Sequence, residues 1–318
     1  MGVSQLEAAL SQAYTYIESS NPEQAKQILD EALILDLDNQ GIVFLIQCCS
    51  FWIDVFNRIE TLQAFEQGET IINQWKKFQN LLDLSSDPLE RSTYAFRKGI
   101  YGKALALYKQ VSDENDFKMH AEIYRKMGLC NKRLGSYEDA LSCLQEANSS
   151  YQGQAAIIAE MADCYDLCGE SKLARLLFKE AFYIDADKVE LSNLDSPLIA
   201  SLIQRVIKEG CTGIALQQWI SVYGILLGVL NIKRPLKPQE VGRLKQDIYA
   251  RENELKDPEN KDDRLKPRLM NLYLWLLDYY LMSKENINKI NEILIKIKIL
   301  DPNIYKNYFS FDDKKEHL

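Results

Sequence analysis

Two histidines, His120 and His317, and seven cysteines are what this 318-residue chain offers for proton transfer and metal binding. Histidine is the commonest general base near neutral pH and the commonest metal ligand, so hydrolytic and metal chemistry lose their usual carrier. His120 is the internal candidate, and its place just ahead of a helical pattern reads as that of a solvated turn residue. Cys164 and Cys168 stand one helical turn apart, a spacing that could set two thiolates on one metal. No histidine or second cysteine pair lies near them in sequence, and adjacent Cys48 and Cys49 project to different sides of a helix. An odd count with irregular spacing suits buried thiols in a reducing compartment better than a disulfide framework. Neither Gly-x-Gly-x-x-Gly nor a Gly-Lys-Ser/Thr ending occurs, so no loop is built to cradle phosphate. The residues predict no catalytic centre, no metal and no cofactor.

Charge narrows the partners. Acidic residues outnumber basic ones by 46 to 38, and a net charge of −8 repels nucleic-acid backbones. The apolar share of 47% supports a substantial core. Met1 to Glu7 lacks a basic region followed by an apolar run, so the expected address is cytoplasmic. One stretch, Cys211 to Ile232, carries no charge and is long enough to cross a bilayer. Gln217, Gln218, Ser221 and Asn231 would each need a partner in hydrocarbon, so a buried helix ending in a loop is the expectation there. The apolar run Ile42 to Phe56 includes Gln47 and Asp54, is too short to span, and reads as a buried helix.

The elements that would carry a function show up as periodicity. Ala140, Leu144 and Ala147 recur 34 residues on as Ala174, Phe178 and Ala181. Positions i, i+4 and i+7 share one helical face, where small outer members admit a partner helix and the larger middle one fills the gap. Gly135 and Gly169 stand five residues before each leading alanine, where a preceding helix can end in the left-handed conformation. The same device recurs as Gly99, Ala104, Tyr108 and Val111, and as Gly210, Ala215, Trp219 and Val222. Ala25, Leu29 and Ala32 repeat the triplet near the N-terminus behind Pro22, and Ile290, Leu294 and Ile297 repeat it ahead of Asp301-Pro302. Strand signals are nearly absent, so the fold class is all-α, built from tandem helix-turn-helix units.

The spacing divides the chain into an N-terminal array over 1–229 and a C-terminal unit with its tail over 271–318. Within the array, 41–80 reads as a longer, divergent helix pair with Gly68, Ile72 and Trp75. Between the two lies an insertion, 230–270, in which Pro235 and Pro238 precede a charged helix from Gln239 to Lys256 and a polar loop.

With Tyr124, Met127 and Gly128 in one first helix and Met161, Ala162 and Tyr165 in the next, the units resemble tetratricopeptide repeats. That resemblance implies a right-handed α-solenoid whose concave groove, lined by first helices, binds proteins. The lysine-asparagine pair of the family's chaperone-clamping members is replaced here by Leu10 and Tyr14, and by Arg125 and Leu129, so a chaperone clamp is not expected. The groove positions instead hold Arg97, Arg125, Lys132 and Arg133. Lys132 has an expected partner in Asp166, and the three arginines are expected to stay unpaired and to receive an acidic peptide. Trp275, Tyr279 and Met282 follow one helical face, a spacing that suits a core and that on the groove side would make a secondary apolar surface, which the tail from Tyr305, with Tyr308 and Phe309, could cover. A further basic cluster comprises Lys233, Arg234, Lys237, Arg243 and Lys245. The segments Tyr223 to Leu255 and Lys266 to Leu281 are similar to repeat scaffolds of bacterial periplasmic-flagellar motor collars, which implies a role in multi-protein assembly. The functional expectation is a non-enzymatic scaffold that binds a protein partner in its groove or through its ends. The alternative is a membrane-associated assembly factor using the 211–232 run and the neighbouring basic cluster.

Overall fold

A computed structural model describes residues 2–82 and 90–312, with side chains from residue 5 to residue 308. His317 and the side chain of Phe309 lie outside the described residues. Among the described residues there are fifteen α-helices and no strand, in two compact units, Met1–Tyr151 and Gln152–Leu318. The division falls inside the segment that the spacing reads as one array.

The first unit contains α1 (Gly2–Glu18), α2 (Pro22–Leu35), α3 (Gln40–Ile59), α4 (Ala64–Leu82), α5 (Glu90–Gln110), α6 (Phe117–Arg133) and α7 (Tyr137–Ser150). The small-residue seams behave as their spacing requires. Ala25, Leu29 and Ala32 on α2 and Ala140, Leu144 and Ala147 on α7 are buried against α1 and α6. A Cβ on Gly128 of α6 would lie 2.7 Å from the Leu144 side chain, so the absent side chain sets the distance between that pair. Gly135 ends α6 at φ +83° with open space around it, and the Ser136 amide closes the turn onto the Asn131 carbonyl. In 41–80 a cluster of rings replaces small residues: Trp52 and Phe78 are fully buried with centroids 5.2 Å apart, and Phe78 meets Phe96 of α5 at 5.0 Å.

Gly99 departs from expectation. It ends no helix; α5 runs unbroken through it, so Glu90 to Gln110 is one long helix. The reason lies in α1, which packs on α5. A Cβ at position 99 would stand 2.0 Å from the Ile17 carbonyl oxygen, and Ser20 Oγ donates to the Gly99 carbonyl at 2.6 Å. Glycine is required here by space and at Gly135 by φ.

The second unit contains α8 (Ala155–Leu167), α9 (Ser171–Asp185), α10 (Pro197–Lys208), α11 (Leu216–Leu226), α12 (Pro238–Lys256), α13 (Leu265–Met282), α14 (Ile287–Leu300) and α15 (Pro302–Asp312), with short 3-10 turns before α10 and α11. Ala174, Phe178 and Ala181 are wholly buried, and Gly169 and Gly210 take positive φ after α8 and α10. The uncharged run divides into a turn, the 11-residue α11 and a loop. At 1.5 Å per residue α11 rises roughly 16 Å, about half of a bilayer core. By length and composition α3 is the one helix among the described residues that could cross a membrane, being longer than the run Ile42 to Phe56 suggests. Its Leu45, Cys48, Cys49, Trp52 and Val55 are buried within the first unit while Gln47, Asp54 and Arg58 face outward. The insertion helix α12 packs on α13, where Tyr273 OH donates to Glu252 at 2.7 Å and Lys296 of α14 reaches the same carboxylate at 3.0 Å.

Candidate protein-interaction surface

The cations expected to line one groove separate into two environments within the first unit. On α6, Arg125 is 5% exposed, and its guanidinium donates through Nη2 and Nε to both oxygens of Glu122, at 2.7 and 2.8 Å. The next residue, Lys126, is buried as well and meets Glu69 of α4 at 2.8 Å and Glu122 at 3.6 Å. Tyr108 of α5 donates to the other Glu69 oxygen at 2.6 Å. Burial alone would raise the Glu122 carboxyl, but the hydrogen bond and charge of Arg125, reinforced by Lys126, hold it below its ordinary range. Burial, then the charge of Glu69, pushes the Tyr108 hydroxyl far up, so it stays a donor. Two cations, two carboxylates and a phenol thus close an internal network. The expectation that Arg125 is unpaired is corrected: its partner sits three residues earlier on the same helix. Lys132 is 3% exposed, Arg133 is half-buried, and neither stands free. Asp166, the expected partner of Lys132, accepts from Ser171 Oγ at 2.7 Å and from the Leu198 amide at 3.3 Å. With Asp163, which takes the Asp195 and Ser196 amides, it positions the start of α10.

Arg97 behaves differently. It is exposed on α5, with its guanidinium 6.0 Å from the ring centroid of Tyr94, itself 50% exposed. Arg91 lies 4.4 Å over the ring of Tyr14 on α1, and Tyr14 OH shares a hydrogen bond with Ser92 Oγ at 3.0 Å. Lys98 is tied to Glu18 of α1 at 2.8 Å. The close approach at Gly99 therefore assembles a strip of Arg91, Tyr94, Arg97 and Lys98 along α5, backed by Tyr14 from α1. The sequence reading found Arg97 and missed Arg91 and Tyr94. Their spacing of three was visible, but the arrival of α1 beside them was not.

In the second unit, Trp275 is buried at 2% exposure, so it is core and not surface. Tyr183 packs on it at 4.4 Å, with Lys179 Nζ 4.8 Å and Arg234 5.6 Å from its ring. Lys179 forms a fully buried ion pair with Asp278 at 2.6 Å and donates to the Ile232 carbonyl at 3.0 Å. Tyr279 is half-buried and Met282 exposed, so the expected apolar surface shrinks to its last member. Of the basic cluster, Arg234 is held by Glu240 at 2.9 Å and Lys245 lies over Tyr280, while Lys233, Lys237 and Arg243 are exposed.

His120 lies inside α6, where Nδ1 meets Ser150 Oγ at 2.9 Å and the ring stacks on Tyr124 at 4.4 Å; it is not a solvated turn residue. Asp116 caps that helix instead. Burial pushes the Cys48 and Cys49 thiols up to about 12, which leaves them protonated and inert. Cys164 is buried while Cys168 is exposed, and no cluster of three metal-ligating side chains occurs among the described residues. A cleft of about 790 Å³ in the second unit is bordered by Cys211, Thr212, Trp219 and Asp262. Burial raises the Cys211 thiol, so the cleft holds no poised thiolate there. No protein-family model matches the chain, and no curated protein is similar to it at a significant level.

Proposed function

We propose that the chain is a non-enzymatic scaffold of tetratricopeptide-like helix pairs, stacked as an α-solenoid, that recruits a protein partner through an acidic segment. The observation that carries this reading is the solvent-facing strip of Arg91, Tyr94, Arg97 and Lys98 on α5. Arginine and tyrosine are, with tryptophan, the side chains most enriched among those that dominate protein interfaces, and a guanidinium fork matches a carboxylate in both charge and geometry. Of the four groove residues, Arg97 is the contact residue, while Arg125 maintains the helices behind it. The acidic chain as a whole keeps unselected polyanions away, so this local basic strip supplies selectivity. A place in an envelope or motor assembly agrees with a scaffold of this kind.

The test places a photo-reactive phenylalanine analogue at Tyr94 in the native cell. The expected result is one dominant protein adduct mapping to an Asp/Glu-rich segment and lost when Arg91 and Arg97 are both changed to Glu. Absence of any adduct at position 94, or an adduct indifferent to both substitutions, would overturn the assignment.

A further inference from the structure

Two patches on the surface are apolar where a solvated helix should be polar, and their flanking charges are opposite. The first lies at the end of α2 and just beyond it. Ile34 is 74% exposed, Leu37 is 74% exposed, and Leu35 stands between them. Residues 22–39 carry five carboxylates, Glu23, Asp30, Glu31, Asp36 and Asp38, against the single Lys26. None of these five forms an ion pair among the described residues. The patch borders a groove of about 520 Å³ between α1 and α2, lined by Ala9, Tyr16, Ile28 and Leu35.

The second patch is on α14. Its inward face buries Ile293 and Ile297, yet Ile287, Ile295 and Ile299 are exposed, the last by 78%. Positions 287, 291, 295 and 299 rise at intervals of four, so these side chains share the outward side of the helix. Isolated exposed isoleucines need no explanation, but three on one stripe do. Residues 281–300 carry Lys284, Lys289, Lys296 and Lys298 against Glu285 and Glu292. Lys289 and Lys296 are engaged by carboxylates, while Lys284 and Lys298 are exposed and have no ion pair among the described residues, Lys298 lying over the Tyr305 ring.

We propose that a second copy of this chain is the occupant: the acidic apolar patch at the end of α2 in one copy docks on the basic apolar stripe of α14 in the next. Each patch has what the other lacks, branched aliphatic side chains to desolvate against and counter-charges at the rim. Because the two surfaces differ, the contact is heterologous: copies joined head to tail close into a ring where the rotation allows it and otherwise leave one patch of each kind open for the next copy. Head-to-tail addition of this kind carries association past the dimer. This interface is separate from the α5 strip and uses none of its residues.

Sedimentation equilibrium of the purified full chain between about 1 and 100 μM tests it, with two end-blocked variants, Ile34→Gln/Leu37→Gln and Ile295→Gln/Ile299→Gln. The wild type is expected to grow in mass beyond the dimer and to dissociate at least tenfold more readily in 0.5 M than in 0.05 M NaCl. Each variant alone stays monomeric. Mixed at equal concentration they form a 1:1 dimer and stop, because one open patch of each kind remains between them. Arg91→Glu/Arg97→Glu self-associates like the wild type, which separates this interface from the scaffold's partner strip. A wild type that is monomeric throughout, association that survives either end-blocked variant with helicity intact, or failure of the mixture to pair would overturn the proposal. All substituted side chains are exposed, and a circular dichroism melt confirms that each variant folds.

Discussion

Helices α5 and α6 are neighbours in one unit, and the repeat spacing placed Arg97 of the first and Arg125 of the second in a common groove. On α6 the cations turn inward: Arg125 and Lys126 are buried and matched by Glu122 and Glu69. On α5 they turn outward, where Arg91 and Arg97 lie over tyrosine rings and have no carboxylate partner among the described residues. The difference comes from what faces each helix. α6 pairs Arg125 with its own Glu122 and meets Glu69 of α4 and Tyr108 of α5, whereas this side of α5 meets α1, which contributes Tyr14, a backbone carbonyl and Glu18, whose carboxylate holds Lys98 but reaches neither arginine. A like sequence pattern thus yields a buried network on one helix and a solvent-facing basic and aromatic strip on the other.

The largest expected effect concerns buried pairing at its extreme, the Lys179 and Asp278 pair of the second unit. Removing one partner leaves a buried charge, so Asp278→Leu should cost about 3 to 5 kcal/mol, and Lys179→Met/Asp278→Leu should recover most of it. A urea titration of the single and double variants checks this; equal losses would show that packing and not pairing is at stake. Next comes the close approach that builds the α5 strip. Gly99→Ala gains helix propensity but drives a methyl into the Ile17 carbonyl, and should destabilise by about 3 kcal/mol. The measurement is the denaturant midpoint, with amide exchange in α1 showing whether that helix lifts.

Acid acts on the α6 network. The Glu122 pKa is depressed in the folded state, so its contribution is complete above the ordinary carboxylate value of 4.5 and is lost as pH falls through the lower folded value. Stability of the wild type should therefore fall below about pH 4.5, and Glu122→Gln should flatten that fall while costing stability at pH 7. Denaturant midpoints for both proteins at pH 7 and pH 3.5 decide it. The smallest effect is a gain. Lys284 takes φ +51° after α13, the position that Gly135 fills after α6. Lys284→Gly should stabilise by roughly 0.5 kcal/mol, the backbone strain of a non-glycine residue outweighing the entropy of the unfolded glycine. A lowered midpoint would show that the lysine makes compensating contacts.

The small-residue seams and the helix-ending glycines were legible because their requirements are local: an alanine at i and i+7, or a residue that tolerates positive φ. Gly99 misled because glycine answers two different demands, and spacing alone does not distinguish a helix end from a close backbone approach. Arg125 misled in part avoidably, since Glu122 stands at i−3 and such pairs meet on a helix face. Glu69, which completes the network 57 residues before Lys126, was not legible. Trp275 reads as either core or surface until α9 is seen to bring Lys179 and Tyr183 against it. The strip on α5 needed the placement of α1, which is a tertiary fact.

Arg125 belongs to the framework and Arg97 to the surface, and the unfolding free energies of their variants test this without any partner. Arg125→Ala should lose about 2 kcal/mol in a urea titration at neutral pH, because it leaves a half-buried Glu122 without its bidentate donor. Arg97→Ala should stay within about 0.5 kcal/mol of the wild type. Equal losses for the two variants would mean that the two arginines carry the same share of the fold.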